Sequence, residues 1–252
     1  MALTGETIRK LGLLKLPELV PIIAEQDSIA QTMSMTFDER MDCIVDQLYQ
    51  IKNENRIRSL SKSAKLKYPQ ADLSSMLFLP ERELDRAMFI NISSCVFVQT
   101  CKNIVLFGPT GCGKSFAACV IGKAACRHLY KTKYIRFPDL MSSYKELTDH
   151  SARVRFLRRF SRYDVLVIDE WLKDVPDEQD ISFMFELVER REDVHPTIFC
   201  SQYSPSEWVT RMGASVKSES ITDKFIYDSL LIGFNDFNMR NHLARQNPKK
   251  WC

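Results

Sequence analysis

One octapeptide, Gly108-Pro109-Thr110-Gly111-Cys112-Gly113-Lys114-Ser115, satisfies the pattern G-x-x-x-x-G-K-[ST] at every position. Glycines at 108, 111 and 113 let the backbone curl so that its N–H groups converge on an anion, and the helix expected from Lys114 adds its positive end. Lys114 is long enough to reach β- and γ-phosphates, and the Ser115 hydroxyl is an oxygen ligand for magnesium. Magnesium is implied because it takes octahedral oxygen ligands and is commonly shared between phosphates and one or two protein groups. The candidate nucleotide contacts are therefore Gly108, Pro109, Thr110, Gly111, Cys112, Gly113, Lys114, Ser115 and Phe116.

A second constellation is Val165-Leu166-Val167-Ile168-Asp169-Glu170. Four apolar residues ending in two acids put carboxylates at the carboxyl end of a buried strand, where open α/β sheets bind ligands. Asp169 is expected on the metal, with Ser115, and Glu170 is expected to orient and polarise an attacking water. Ser201-Gln202, after the apolar run Thr197-Ile198-Phe199-Cys200, offers a polar side chain to sense the γ-phosphate.

The elements that must position these groups follow from periodicity. Asn103 to Phe107 reads as a buried strand before the glycine loop, and Phe116 to Cys126 as the helix after it. Further strands are expected at 133–137, 164–168 and 197–200. Helices are expected from near Asp139, over Ser151 to Arg162, after a cap at Asp177 or Asp180, and over 205–212 and 220–227. Near-continuous apolar strands imply a parallel sheet covered on both faces. The earlier part of the chain reads as all-helical: 8–16, 19–31, and a long helix from Phe37 to about Leu66. The last carries a Thr36/Glu39 capping box. Pro69, Asp72 and Ser74-Ser75 mark a linker, and Pro80 opens a short helix over 83–90. The reading is α/β, with residues 1–70 a helical module and 71–252 a linker and nucleotide-binding domain.

With 45% hydrophobic and 27% charged residues the chain has the composition of an ordinary globular protein. No run approaches the 18 apolar residues of a membrane span, no secretory leader is evident, and a cytoplasmic protein is expected. The eight cysteines form no C-x-x-C pair and read as reduced, mostly buried thiols. Charge is segregated. Residues 1–51 are mainly acidic, whereas Lys52, Arg56, Arg58, Lys62, Lys65 and Lys67 face a single Glu54. A second basic run is Arg153, Arg155, Arg158, Arg159 and Arg162. Such segments suit a polyanion. Positions 58, 62 and 65 follow helical spacing, so Arg56, Arg58, Lys62 and Lys65 are expected to form one stripe.

Taken together, Leu106 to Ser115, Val165 to Glu170 and Pro205-Ser206-Glu207-Trp208 resemble the IstB-like transposition helper ATPases, relatives of the DnaC and DnaI helicase loaders within the AAA+ superfamily. Ala2-Leu3-Thr4-Gly5 with Leu13, Leu16 and Pro17, and the basic stretch Asn55 to Ala64, fit the same group. The resemblance implies an ATPase with ATP and magnesium at subunit interfaces, a homo-oligomer on double-stranded DNA, and a cognate transposase as partner. It also implies an AAA+ strand order, with the sensor strand between the strands of the glycine loop and the acidic pair. A helicase loader and a nucleotide-dependent adaptor with little turnover are the alternatives. Two positions depart from the family pattern. Ile221-Thr222-Asp223-Lys224-Phe225 has lysine where an arginine is the candidate trans-acting finger, and lysine lacks the bidentate fork. Arg211 and Arg240 are the other candidates for that role. Gln202 stands where loaders carry asparagine. Arg153, Arg155, Arg158 and Arg159 are candidate DNA contacts, or an interface for acidic residues of a neighbouring subunit.

Overall fold

A computed structural model describes residues 3–26 and 34–246. The chain divides into two compact units, Met1–Ser59 and Leu60–Cys252.

The first unit holds α1 (Gly5–Leu13), α2 (Leu19–Gln26) and most of α3 (Phe37–Ala64). Thr4 caps α1 by accepting the Thr7 N–H, and the helix ends ahead of the left-handed Lys15, earlier than the apolar spacing suggested. The Thr36/Glu39 box is present: each residue accepts the other's backbone N–H. Gln26 and Arg40 exchange hydrogen bonds that join α2 to α3, and Lys52 pairs with Glu18. The expected continuation of the second helix to residue 31 lies outside the described residues. No helix among those described is long and apolar enough to cross a membrane.

The second unit is built on a five-stranded parallel sheet of order β2-β3-β4-β1-β5. Its strands are β1 (Ile104–Phe107), β2 (Thr132–Arg136), β3 (Val165–Trp171), β4 (Thr197–Ser201) and β5 (Leu230–Gly233). The helices are α4 (Arg86–Ser93), α5 (Val96–Gln99), α6 (Lys114–Arg127), α7 (Phe137–Lys145), α8 (His150–Ser161), α9 (Glu178–Glu189), α10 (Pro205–Arg211), α11 (Val216–Ile226) and α12 (Met239–Gln246). Alternate strand residues enter opposite cores, as a two-residue side-chain period demands. Ile104, Leu106, Val165, Val167, Ile198 and Cys200 face α4, α5 and α6, together with Leu60, Ala64 and Leu66. Val105, Leu166, Ile168 and Phe199 face α7 to α11, where Trp171, Trp208 and Phe225 surround Phe199. The buried cysteines are free, and burial raises the thiols of Cys95 and Cys119 to about 11.

Several boundaries differ from the sequence reading. The strand β5 was not anticipated: its apolar run Leu230-Leu231-Ile232 is short, and at the edge of the sheet only Ile232 of its four residues is fully buried. The helix placed near Asp139 begins at Phe137, because Pro138 fits a first helical turn. Pro80 opens only a 3-10 turn, Pro80–Arg82, ended by left-handed Glu83; the helix expected over 83–90 is α4, which starts later, behind an Asp85 cap. Asp177 caps α9, with Asp180 its capping-box partner. The third strand runs past its expected end through both acids to Trp171, with an irregular register against β4 between Ile168 and Trp171.

Candidate nucleotide site

The glycine loop joins β1 to α6. Gly108, at φ 138°, passes so close to the Phe234 carbonyl that no Cβ could be accommodated. Gly113, at φ 104°, is packed against the Arg82 guanidinium, which donates to the Cys112 carbonyl at 2.9 Å. Arg82 is 5% exposed and so braces the loop from within the fold. Lys114 folds back to donate to the carbonyls of Gly108 and Pro109, both at 2.7 Å.

A cavity of about 570 Å³ opens beside this loop. Thr110, Gly111, Gly113, Lys114, Ser115 and Phe116 line one side, and Asp169, Glu170 and Gln202 the sheet side. Three segments distant in sequence thus converge as their motifs require. The cavity also receives Lys67, Tyr68, Arg82, Lys173 and Arg240, which sequence reasoning did not place there as cis contacts. Tyr68 packs its ring on Phe116 at 5.7 Å.

Asp169 is 2% exposed. Its Oδ1 accepts the Glu170 N–H at 2.9 Å; its Oδ2 accepts the hydroxyl of Tyr134 and lies 3.8 Å from the Lys67 ammonium. Burial and the adjacent Asp169 carboxylate raise the Tyr134 phenol far above its ordinary range, so it stays a donor. Parallel pairing sets Arg136 opposite Asp169. Arg136 donates to Glu170 at 2.9 Å, and Lys173 approaches the same oxygen at 3.3 Å. Burial, the largest single influence, pushes the Glu170 carboxyl upward, but these two cations together bring it below its usual value. Glu170 has a left-handed backbone, φ 57°.

The site fits magnesium by donor chemistry. The Ser115 hydroxyl and the Asp169 carboxylate are hard oxygen donors on one cavity. Among the described residues no group of three or more His, Cys, Asp or Glu could hold a metal unaided. The ligand's phosphates would have to complete the shell.

Most of the remaining candidates lie elsewhere. Lys224 is on α11, paired with Glu189 and Glu192, beside a separate cavity of about 410 Å³ lined by Asn103, Arg191 and Asp228. Arg211 stacks on Tyr203 at 3.7 Å and donates to the carbonyls of Leu172 and Lys173, just beyond Glu170. Arg240, considered above for a trans-acting role, lines the cavity of its own glycine loop. Arg56, Arg58 and Lys62 are exposed on α3. Lys65 is exposed too, but it follows the helix end in a left-handed conformation, so helical spacing does not extend to it. On α8, Arg155 and Arg158 are exposed and Arg159 lies over Phe156 and Phe160, 4.9 Å from each ring. Arg153 is instead committed to the Leu147 carbonyl and the face of Tyr144. Lys133 of β2, not singled out above, has its ammonium pKa lowered by burial and by the like charges of Lys65 and Arg159. Lys65 and Arg159 are therefore both within electrostatic reach of Lys133.

A parallel sheet of this order, with the glycine loop after β1, the acidic pair on β3 and a polar residue ending the intervening β4, defines an AAA+ P-loop nucleotide-binding protein. The family model for IstB-like ATP binding protein matches residues 9–247, and the chain belongs to that family. It is 30% identical over 204 residues to the putative ATP-binding protein of insertion sequence IS1162 from Pseudomonas fluorescens, covering 81% of this chain and 88% of that one. It is 26% identical to the corresponding IS5376 protein of Geobacillus stearothermophilus, over 92% and 91% of the two chains. Among solved structures, the DnaC helicase loader superposes with a TM-score of 0.56 at 20% identity, over 67% of this chain and 98% of the loader. AMPPCP-bound DnaA from Aquifex aeolicus gives 0.58 at 15% identity, over 74% and 56%. The fold and the strand order expected from the resemblance are those observed, and family membership implies nucleotide and magnesium binding.

Proposed function

We propose that this protein is an ATP-hydrolysing transposition helper that assembles on duplex DNA with little sequence preference and recruits or stimulates a transposase. The observation that carries the reading is the convergence of Lys114, Ser115, Asp169, Glu170 and Gln202 on one cavity in a member of the IstB-like family.

Bound magnesium would neutralise phosphate charge; Ser115 and Asp169 are the residues to hold it. Lys114 leaves its loop carbonyls for the phosphate chain, Glu170 accepts a proton from water, and Gln202 holds that water or the terminal phosphate from the sheet side. Arg240 contacts phosphate in cis. The trans-acting cation then falls to Lys224 or Arg211 of a neighbouring subunit, each of which must first leave its present partners, so slow turnover in the unassembled protein is expected. Residues 1–70 serve as the DNA-binding and assembly module. Duplex phosphates are contacted by Arg56, Arg58, Lys62 and Lys65, by Arg155, Arg158 and Arg159, and by Lys133. Contacts to phosphate carry little sequence information and release counterions.

The test is to measure nucleotide binding and turnover, with and without DNA, for wild type, Lys114→Ala and Glu170→Gln. Lys114→Ala should lose nucleotide binding. Glu170→Gln should retain it while turnover falls by about 10² or more. Turnover that persists in Glu170→Gln would remove Glu170 from the proposed chemistry.

A further inference from the structure

The carboxylate assigned to the metal already carries a cation of the protein's own. Lys67 lies just after α3, and its Nζ is 3.8 Å from Asp169 Oδ2. The backbone beside it is fastened. Ala64 and Leu66 are buried, Leu66 presses on Gly122 of α6, and the Tyr68 ring packs on Phe116. The Lys67 side chain itself is 35% exposed and opens on the nucleotide cavity. A long flexible stem therefore springs from a fixed point.

The oxygens of Asp169 are already engaged. Oδ1 accepts the Glu170 N–H, and Oδ2 accepts the Tyr134 hydroxyl and faces Lys67. The Tyr134 bond is compatible with a metal on Asp169, since the phenol is neutral. The ammonium is not: it and a divalent ion at the same carboxylate repel strongly at such a separation. The fate of a displaced ammonium is set by what else the cavity holds, and a bound ligand's phosphates would supply anions there that the protein has not already paired.

We propose that Lys67 is the resident counter-ion of Asp169, displaced by the divalent cation and transferred to the terminal phosphate when the nucleotide loads. This rests on the reading of the cavity as a magnesium–nucleotide site. Lys67 thereby makes the residues that join α3 to the nucleotide-binding fold part of the ligand's own shell, and sets how much magnesium loading requires. Tyr134 stays in place and keeps the carboxylate oriented.

Binding of a fluorescent, non-hydrolysable ATP analogue to the full chain, titrated with magnesium at constant ionic strength, tests this. In Lys67→Met the half-saturating magnesium concentration should fall about twofold to fivefold, the range of a partly exposed ion pair. Affinity for the analogue without magnesium should weaken by a similar factor. Lys67→Arg, which keeps the charge, should retain most of the wild-type magnesium requirement. An unchanged or higher requirement in Lys67→Met, with the wild-type melting temperature, overturns the proposal. A wild-type chain that binds no analogue at any magnesium concentration overturns the nucleotide reading instead.

Discussion

Removing the guanidinium of Arg136 should raise the basal rate of ATP turnover. Glu170, the proposed acceptor of the water's proton, is held by Arg136 Nη2 at 2.9 Å and by Lys173 Nζ at 3.3 Å, both on Oε2. A carboxylate so paired is a weaker base and points at the wrong group. Arg136 is 41% and Glu170 23% exposed, so solvent screens the pair. Pairs of that kind contribute about 0.2–1 kcal/mol, which corresponds to about 1.4-fold to fivefold in the population of unpaired glutamate. Lys173 remains in Arg136→Met, so the gain stays within that range. The assay is steady-state phosphate release without DNA, accompanied by a nucleotide-binding measurement that should change by less than about twofold. A second readout is pH. The two cations hold Glu170 below its ordinary value against the opposing effect of burial. With Arg136 gone the carboxyl titrates higher, and the acid limb of the pH–turnover profile moves to higher pH. A lower turnover in a folded Arg136→Met, or an acid limb moving to lower pH, would show that Arg136 positions Glu170 for reaction, and the reasoning would fail.

Two other outcomes are expected. Arg191 is 2% exposed and donates to the carbonyls of Phe160, Ser161, Tyr163 and Pro196 and to the Thr197 hydroxyl, tying the end of α8 to the start of β4. Arg191→Met strands these acceptors and should cost about 3 kcal/mol or more, or roughly 10 °C in thermal unfolding; a loss below about 1 kcal/mol would mean the acceptors find water. Lys133→Met should weaken duplex binding equally for unrelated sequences and reduce the salt slope by about 1, whereas a loss confined to particular sequences would argue against phosphate contact.

What the sequence made legible was whatever chemistry is local in the chain. The glycine loop is one such case, since Gly108 and Gly113 need a left-handed or crowded backbone and Lys114 follows at once. The acidic pair is another, because an apolar strand ending in carboxylates is visible in six consecutive residues. Gln202 stands out because it follows the next apolar strand; that this strand lies between the two motifs is what the family resemblance implies, and β4 does lie between β3 and β1. The groups that modulate these residues were not legible, for a physical reason. Tyr134 and Arg136 alternate along β2, and only the register of β2 against β3 brings them to Asp169 and Glu170. Lys67 read as one charge in a basic run, because nothing local says that α3 stops at Ala64 and that the chain then turns into the nucleotide cavity. Lys133 reads as the polar residue of a strand, because nothing local puts it within electrostatic reach of Lys65 and Arg159. The motif residues could be read singly, since each does its work wherever a phosphate is held. The residues that restrain them act only through pairing across the sheet, so their roles follow from strand order and register. The glycine loop by itself therefore points to a gripped phosphate, while the control we propose for the reaction depends on β2 and on the segment leaving α3.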